Sequence, residues 1–136
     1  MSDKVFIDSN LLIYSVSTEM SKRIAVESLF QKNYEFVISI QVVNEFSNVC
    51  FKKNLLSTTD LEKLVNGFFA FFKVSPIEAS TILLAYSIKS RYGFSYYDAL
   101  IVATALESKC TLLFSEDLQH NQLIENILQI KNPFIP

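Results

Sequence analysis

The chain has 136 residues, half of them hydrophobic and 19% charged, with a formal net charge of −2. That balance excludes intrinsic disorder, and the length predicts one domain over residues 1–136 with a sizeable core. A mildly acidic chain lacks a general basic surface for nucleic acid, so any action on nucleic acid calls for a local patch or for metal ions.

Lys4 to Ile7 reads as a buried first strand that stops at Asp8-Ser9-Asn10, three good helix-capping residues. A short helix through Leu11, Leu12, Tyr14 and Ser15 should follow, then a second over about Ser21 to Lys32. Phe36 to Ile38 is a second strand. Ser39 caps a helix to about Lys53 with Val42, Val43, Phe46, Val49 and Cys50 as its apolar stripe. Thr59 and Glu62 have capping-box spacing for a helix ending near Phe72. Ser75-Pro76-Ile77-Glu78 reads as the start of another, with Ser75 as cap and Pro76 in the first turn, running to about Arg91. Ser95 opens a helix through Leu106, Thr111 to Phe114 is a third strand, and Ile127 to Ile130 a last one. Short apolar strands alternating with helices predict an α/β fold with a small, mainly parallel sheet of about four or five strands.

Several function classes fall away. With only Gly67 and Gly93, neither glycine-rich phosphate-binding motif can be written. One histidine, His120, and two distant cysteines, Cys50 and Cys110, cannot furnish a zinc site. No nucleophile elbow is present for a serine hydrolase. A phospho-accepting receiver and a DxD phosphohydrolase both fail at Asp8-Ser9-Asn10. Two cysteines fit reduced thiols in the cytoplasm. The first apolar stretch, broken by Asp8 and Asn10, is no secretory signal. No apolar run reaches the roughly 18 residues of a membrane span.

Carboxylates remain. Asp8 directly follows the first strand and Asp117 follows the TLLF strand by three residues, at the strand ends where α/β sheets bind ligands. Glu45 lies beside the apolar stripe of its helix, where an unpaired charge is costly. Asp98 tops the apolar face of the helix opened by Ser95. Each acid has a plainer reading, as a cap, a loop acid or a solvated edge of a helix. Together, four carboxylates from separate segments meeting at one edge would need a cation. Oxygen-only ligands suit Mg²⁺ or Mn²⁺, whose use in enzymes is phosphoryl chemistry.

FIDSNLLIY from Phe6, QVVNEF ending at Phe46, SYYDALIVATAL from Ser95 and LLFSEDL ending at Leu118 resemble, in order, the motifs of PIN-domain ribonucleases, above all the VapC toxins of bacterial VapBC toxin–antitoxin systems. The resemblance implies that Asp8, Glu45, Asp98 and Asp117 surround Mg²⁺, with Asp117 rather than Glu116 as the fourth acid. It also implies that Ser115 is the small hydroxyl residue often found before that acid, here a candidate substrate contact. It further implies an endoribonuclease acting on single-stranded or looped RNA, leaving a 5′-phosphate and a 3′-hydroxyl. An antitoxin partner covering the groove and a homodimer are implied as well. The alternative is a PIN scaffold that binds protein or RNA without cutting it. Lys52 and Lys53, ending the helix that carries Glu45, are the basic pair expected to touch RNA. Phe68, Phe69, Phe71 and Phe72 read either as a buried helix face or as a groove for a partner.

Overall fold

In the computed structural model, which describes residues 3–136, six strands and six helices are found among those residues. They run β1 (Lys4–Ile7), α1 (Ser9–Tyr14), α2 (Met20–Phe30), β2 (Glu35–Ser39), α3 (Ile40–Lys52) and α4 (Thr58–Phe71), then β3 (Lys73–Ser75), α5 (Ala79–Tyr92), α6 (Tyr96–Glu107), β4 (Leu112–Phe114), β5 (Leu123–Ile124) and β6 (Leu128–Lys131). The sheet order is β3-β2-β1-β4-β6-β5, parallel throughout except for β5 against β6. The α/β class with a mainly parallel sheet is as the sequence predicts.

Packing follows from the apolar pattern. Val5, Phe6 and Ile7 of β1 are wholly buried, as expected for a central parallel strand covered on both faces. Helix α6 is buried on all sides from Ala99 to Ala105, so the small residues Ala99, Ala103 and Ala105 let its neighbours approach closely. Among the helices, α1 packs on α2 and α3, α3 on α4, and α5 on α6.

Three local expectations are corrected. The fourth helix is capped by Ser57, whose hydroxyl accepts from the Asp60 amide, and not by Thr59. Ser75 caps nothing: it ends β3, in register with Ser39 of β2. The cap of α5 falls to Glu78, whose amide donates to Thr81 Oγ1. The sheet has six strands because β3 and β5, of three and two residues, add to the four legible ones.

The topology sets a place for chemistry. The chain passes from β1 to β2 on one side and later returns to lay β4 on the other side of β1. The C-terminal ends of β1 and β4 therefore flank the point where strand order reverses, the crevice in which α/β sheets bind ligands.

Candidate active site

Asp8 stands at that crevice. It is the N-cap of α1, with Oδ1 accepting the Ser9 amide at 2.7 Å. Oδ2 accepts the Ser115 hydroxyl at 2.8 Å, across from the end of β4. Asp8 is only 5% exposed, and burial pushes its carboxyl up to about 6. The two hydrogen bonds resist that rise; the charges of Glu45 and Asp98 add to it. No basic side chain is among the groups that shift it. Asp8 thus feels the charges of two further acids at this strand edge.

Glu45 reaches the edge from the second turn of α3. Both of its oxygens are held: Ser9 Oγ donates to Oε2 at 2.8 Å and Gln41 Nε2 to Oε1 at 2.6 Å. Next to it, Phe46 is completely buried. Burying a phenylalanine contributes roughly 1.5–3 kcal/mol, so α3 cannot turn Glu45 away without losing that contact. Gln41 is itself 8% exposed, and its Oε1 is the one buried side-chain oxygen or nitrogen among the described residues without a hydrogen-bond partner.

Asp98 lies in the first turn of α6, where its amide donates to the cap residue Ser95 at 3.2 Å. Capping and facing Asp8 are therefore compatible. Asp117 is exposed and tied in from two sides. Asn10 Nδ2 donates to its Oδ2 at 3.0 Å, and its amide donates to Ser115 Oγ at 3.2 Å. Ser115, the expected substrate contact, is fully buried, with its hydroxyl donating to Asp8 and accepting from the Asp117 amide.

Glu116, the neighbouring acid, is occupied elsewhere. Burial opposes its ionisation, but hydrogen bonds from Lys22 and Tyr14, with the Lys22 charge, prevail and hold its carboxyl below the usual range. Tyr14 OH donates to Oε1 at 2.5 Å, and Lys22 pairs with the other oxygen. Lys22 also sits 4.0 Å from the Phe134 ring centre, and Tyr14 packs edge-on against that ring. This latch joins α1, α2 and the C-terminal segment to the loop that carries Asp117. Lys52 and Lys53 are exposed at the far end of α3, seven and eight residues beyond Glu45, or about 10–12 Å along the axis. Phe68 and Phe72 join the core, while Phe69 and Phe71 stay about half exposed.

Sequence reasoning did not find Ser9, Asn10 and Gln41. Ser9 and Asn10 had a signal, since they adjoin Asp8. Gln41 had one as well: it lies four residues before Glu45 and so shares its helix face.

The donor set is all oxygen, which suits a hard divalent ion. As placed, however, no three His, Cys, Asp or Glu side chains among the described residues stand close enough together to hold one. The hydrogen bonds explain the spacing. Ser9 and Gln41 retain Glu45, Asn10 retains Asp117, and like charges have no reason to close on one another.

The fold is shared with solved toxin–antitoxin proteins. A toxin–antitoxin complex from Klebsiella pneumoniae is similar at TM-score 0.71 and 18% identity, over 96% of this chain and 98% of that one. VapC20 of Mycobacterium tuberculosis, described as a sarcin-ricin loop cleaving toxin, is similar at TM-score 0.69 and 14% identity, over 83% and 91%. VapBC2 of Rickettsia felis, bound to promoter DNA, is similar at TM-score 0.67 and 17% identity, over 95% and 99%. No curated protein sequence matches. The family model for the PIN domain matches residues 5–125, from the first strand to beyond the Asp117 loop, and the chain belongs to the PIN domain family.

Proposed function

We propose that this chain is the ribonuclease toxin of a toxin–antitoxin pair, an endonuclease acting on RNA with Mg²⁺ or Mn²⁺ held by Asp8, Glu45, Asp98 and Asp117. The observation that carries the reading is the state of Asp8: a carboxyl 5% exposed at the strand-order reversal, pushed up by burial and by the charges of Glu45 and Asp98, with no basic side chain among the groups that shift it. Such a cluster is costly for the fold alone and is the arrangement that a hard cation relieves. When bound, the ion supplies charge neutralisation and an activated water for phosphodiester hydrolysis.

The chain's own residues prepare that chemistry. Ser115 and the Ser9 amide fix the direction of the Asp8 carboxylate. Ser9 and Gln41 orient Glu45, and Asn10 restrains Asp117. Lys52 and Lys53, exposed at the end of the helix that carries Glu45, are the pair proposed to contact the RNA backbone. RNA as substrate is supported by the similarity to the sarcin-ricin loop cleaving toxin, and an antitoxin partner by the similarity to toxin–antitoxin complexes. A homodimer would draw on exposed apolar residues such as Leu83, Tyr86 and Tyr97. Residues 1–136 act as one domain, a reading supported by the family match over 5–125. Two free, buried thiols, Cys50 and Cys110, support a cytoplasmic location. No helix among the described residues is long and apolar enough to cross a membrane.

A second reading, a PIN scaffold that binds without cutting, is favoured by the spacing of the acids, no three of which stand grouped for an ion. Cleavage of a single-stranded RNA after exhaustive chelation, then with Mg²⁺ or Mn²⁺ restored, separates the two. The nuclease reading expects loss and recovery. Cleavage undiminished by chelation contradicts the metal, and RNA binding without cleavage under every ion supports the scaffold.

A further inference from the structure

We propose that the cavity between α2 and the segment after β6 binds a nucleotide by its phosphate monoester and its flat base, at a site separate from the acids around Asp8. The cavity has a volume of about 500 Å³, within the range of small-molecule sites. Its floor is apolar. Phe114 and Lys131 are register partners on the parallel strands β4 and β6, so their side chains rise from the same sheet face; Leu112, two residues before Phe114, shares it. Leu29 of α2 and the ring of Tyr34 complete the floor, the Tyr34 ring centre lying 6.1 Å from that of Phe114. Tyr34 is only partly buried, which leaves ring surface for a ligand.

The rim is basic. Lys32, Lys131 and His120, the chain's single histidine, line the cavity, and no acidic side chain does. That is out of proportion in a chain with 14 acidic residues against 12 lysines and arginines. None of the three is in an ion pair among the described residues. Lys131 gives one ammonium proton to Asn121 Oδ1 at 2.6 Å, which leaves the rest of the ammonium for a ligand. His120 is set as a donor: its Nδ1 accepts the Asn132 amide at 2.9 Å, so the ring proton sits on Nε2, and no acceptor for it is found among the described residues. Lys131 is tied to the neighbour of His120, and His120 to the neighbour of Lys131. These two ties bring the ammonium and the imidazole to one end of the cavity. An apolar floor with rings, beside clustered donors, fits a ligand with a flat body and a compact anionic head. A nucleotide has both: its base packs on the rings, and its phosphate takes charge-assisted hydrogen bonds. In a chain without a glycine-rich phosphate loop, side chains take that role.

The test is titration of the whole chain, in EDTA, with adenosine 5′-monophosphate, adenosine and inorganic phosphate, read by calorimetry and by amide chemical shifts. The monophosphate is expected to bind at least about tenfold tighter than adenosine or phosphate alone, with shifts at Tyr34, Phe114, His120 and Lys131. Lys131→Met should weaken the monophosphate at least about fivefold and leave adenosine unchanged, whereas Tyr34→Leu should weaken both. Tetraadenylate RNA identifies the source of the nucleotide. A 5′-phosphorylated strand that binds tighter than both the monophosphate and its 5′-hydroxyl twin assigns the cavity to the end of an RNA strand; a monophosphate that binds at least as tightly assigns it to a free nucleotide. No binding of the monophosphate at about 10 mM overturns the proposal, and so do shifts confined to other parts of the chain. Unchanged affinity for the monophosphate in folded Lys131→Met and Tyr34→Leu overturns it as well. Where a variant fails to fold, the shift map of the wild type decides.

Discussion

Asp8 and Glu116 are acids in adjoining loops, joined to each other's surroundings through Ser115, yet they have opposite environments. Glu116 is met by a lysine, a phenol and the Phe134 ring, and its carboxyl is held low. Asp8 is buried deeper, met by hydrogen bonds from Ser9 and Ser115 and by two further acids, and its carboxyl is pushed up to about 6. On the proposed function the contrast separates an acid held for architecture, Glu116, from one proposed for chemistry, Asp8, although both are conspicuous acids near a strand end.

Breaking the Asp8 side has the largest expected effect. Asp8→Asn keeps an N-cap oxygen for the Ser9 amide, so the fold should persist. RNA cleavage should fall by at least about 100-fold, of the order seen when an electrostatic group that stabilises the transition state is lost. Metal-free stability at neutral pH should rise by on the order of 2 kcal/mol, since a buried carboxyl with a raised pKa no longer has to ionise. Denaturant melts alongside an RNA cleavage assay check both. A variant both inactive and unfolded would return Asp8 to the structural side of the comparison.

Breaking the Glu116 side should do the reverse. Glu116→Gln leaves Lys22 unpaired and should lose about 1–2 kcal/mol of stability in the same melts, with cleavage at saturating Mg²⁺ within a few-fold of wild type. A hundredfold fall in cleavage with stability intact would move Glu116 into the site.

The pH dependence of metal-free stability sharpens the contrast, because the two shifts have opposite signs. Asp8 binds its proton more tightly in the folded chain. Its contribution is fully present below about pH 4 and is lost as pH rises through about 6. Glu116 binds its proton less tightly when folded, so its contribution is present above about pH 4.5 and is lost as pH falls through its lowered pKa. Urea midpoints from pH 3 to 8 should show the high-pH loss vanish in Asp8→Asn and the low-pH loss shrink in Glu116→Gln. A wild-type curve flat from pH 4 to 7 would contradict the Asp8 assignment.

The smallest expected effect concerns Lys52 and Lys53. Replacing both by Gln should leave Mg²⁺ response unchanged and reduce the salt dependence of single-stranded RNA binding by about 1.4 in log–log slope, about 0.7 for each phosphate contact. An unchanged slope would remove the pair from the RNA path.

Much of this organisation is legible in the sequence. β1, β2, β4 and β6 announce themselves as short apolar runs, and Ser39 and Ser95 cap the helices they were expected to cap. β3 is not legible. Its three residues follow the run Phe68 to Phe72 and end in the serine of a serine-proline pair that imitates a helix start, and only pairing with β2 draws Lys73–Ser75 into the sheet. β5 is hidden differently: its hairpin turns through Glu125 and Asn126, both left-handed at φ 53° and 55°. Two left-handed residues make the turn that suits a tight hairpin, but glutamate is not the residue that signals it. Asp8 and Asp117 stand out as candidates in the sequence because strand ends in an α/β sheet are where ligands go, and Glu45 and Asp98 because each lies beside the apolar face of its helix. Their partners do not, because Ser9 reaches Glu45 across 36 residues and Ser115 reaches Asp8 across 107, and tertiary placement alone decides which hydroxyl meets which carboxylate.

The central claim, that the acids around Asp8 form a cation site, is tested most directly by the melting temperature of wild type and Glu45→Gln with and without Mg²⁺. A ligand that binds only the folded chain stabilises it by about 2.7 kcal/mol at 100 times its dissociation constant. The account expects a clear Mg²⁺-dependent rise in wild type, a smaller rise at the same Mg²⁺ in Glu45→Gln, and a metal-free Glu45→Gln at least as stable as metal-free wild type. An identical Mg²⁺ response in the two proteins, or none in either, contradicts it.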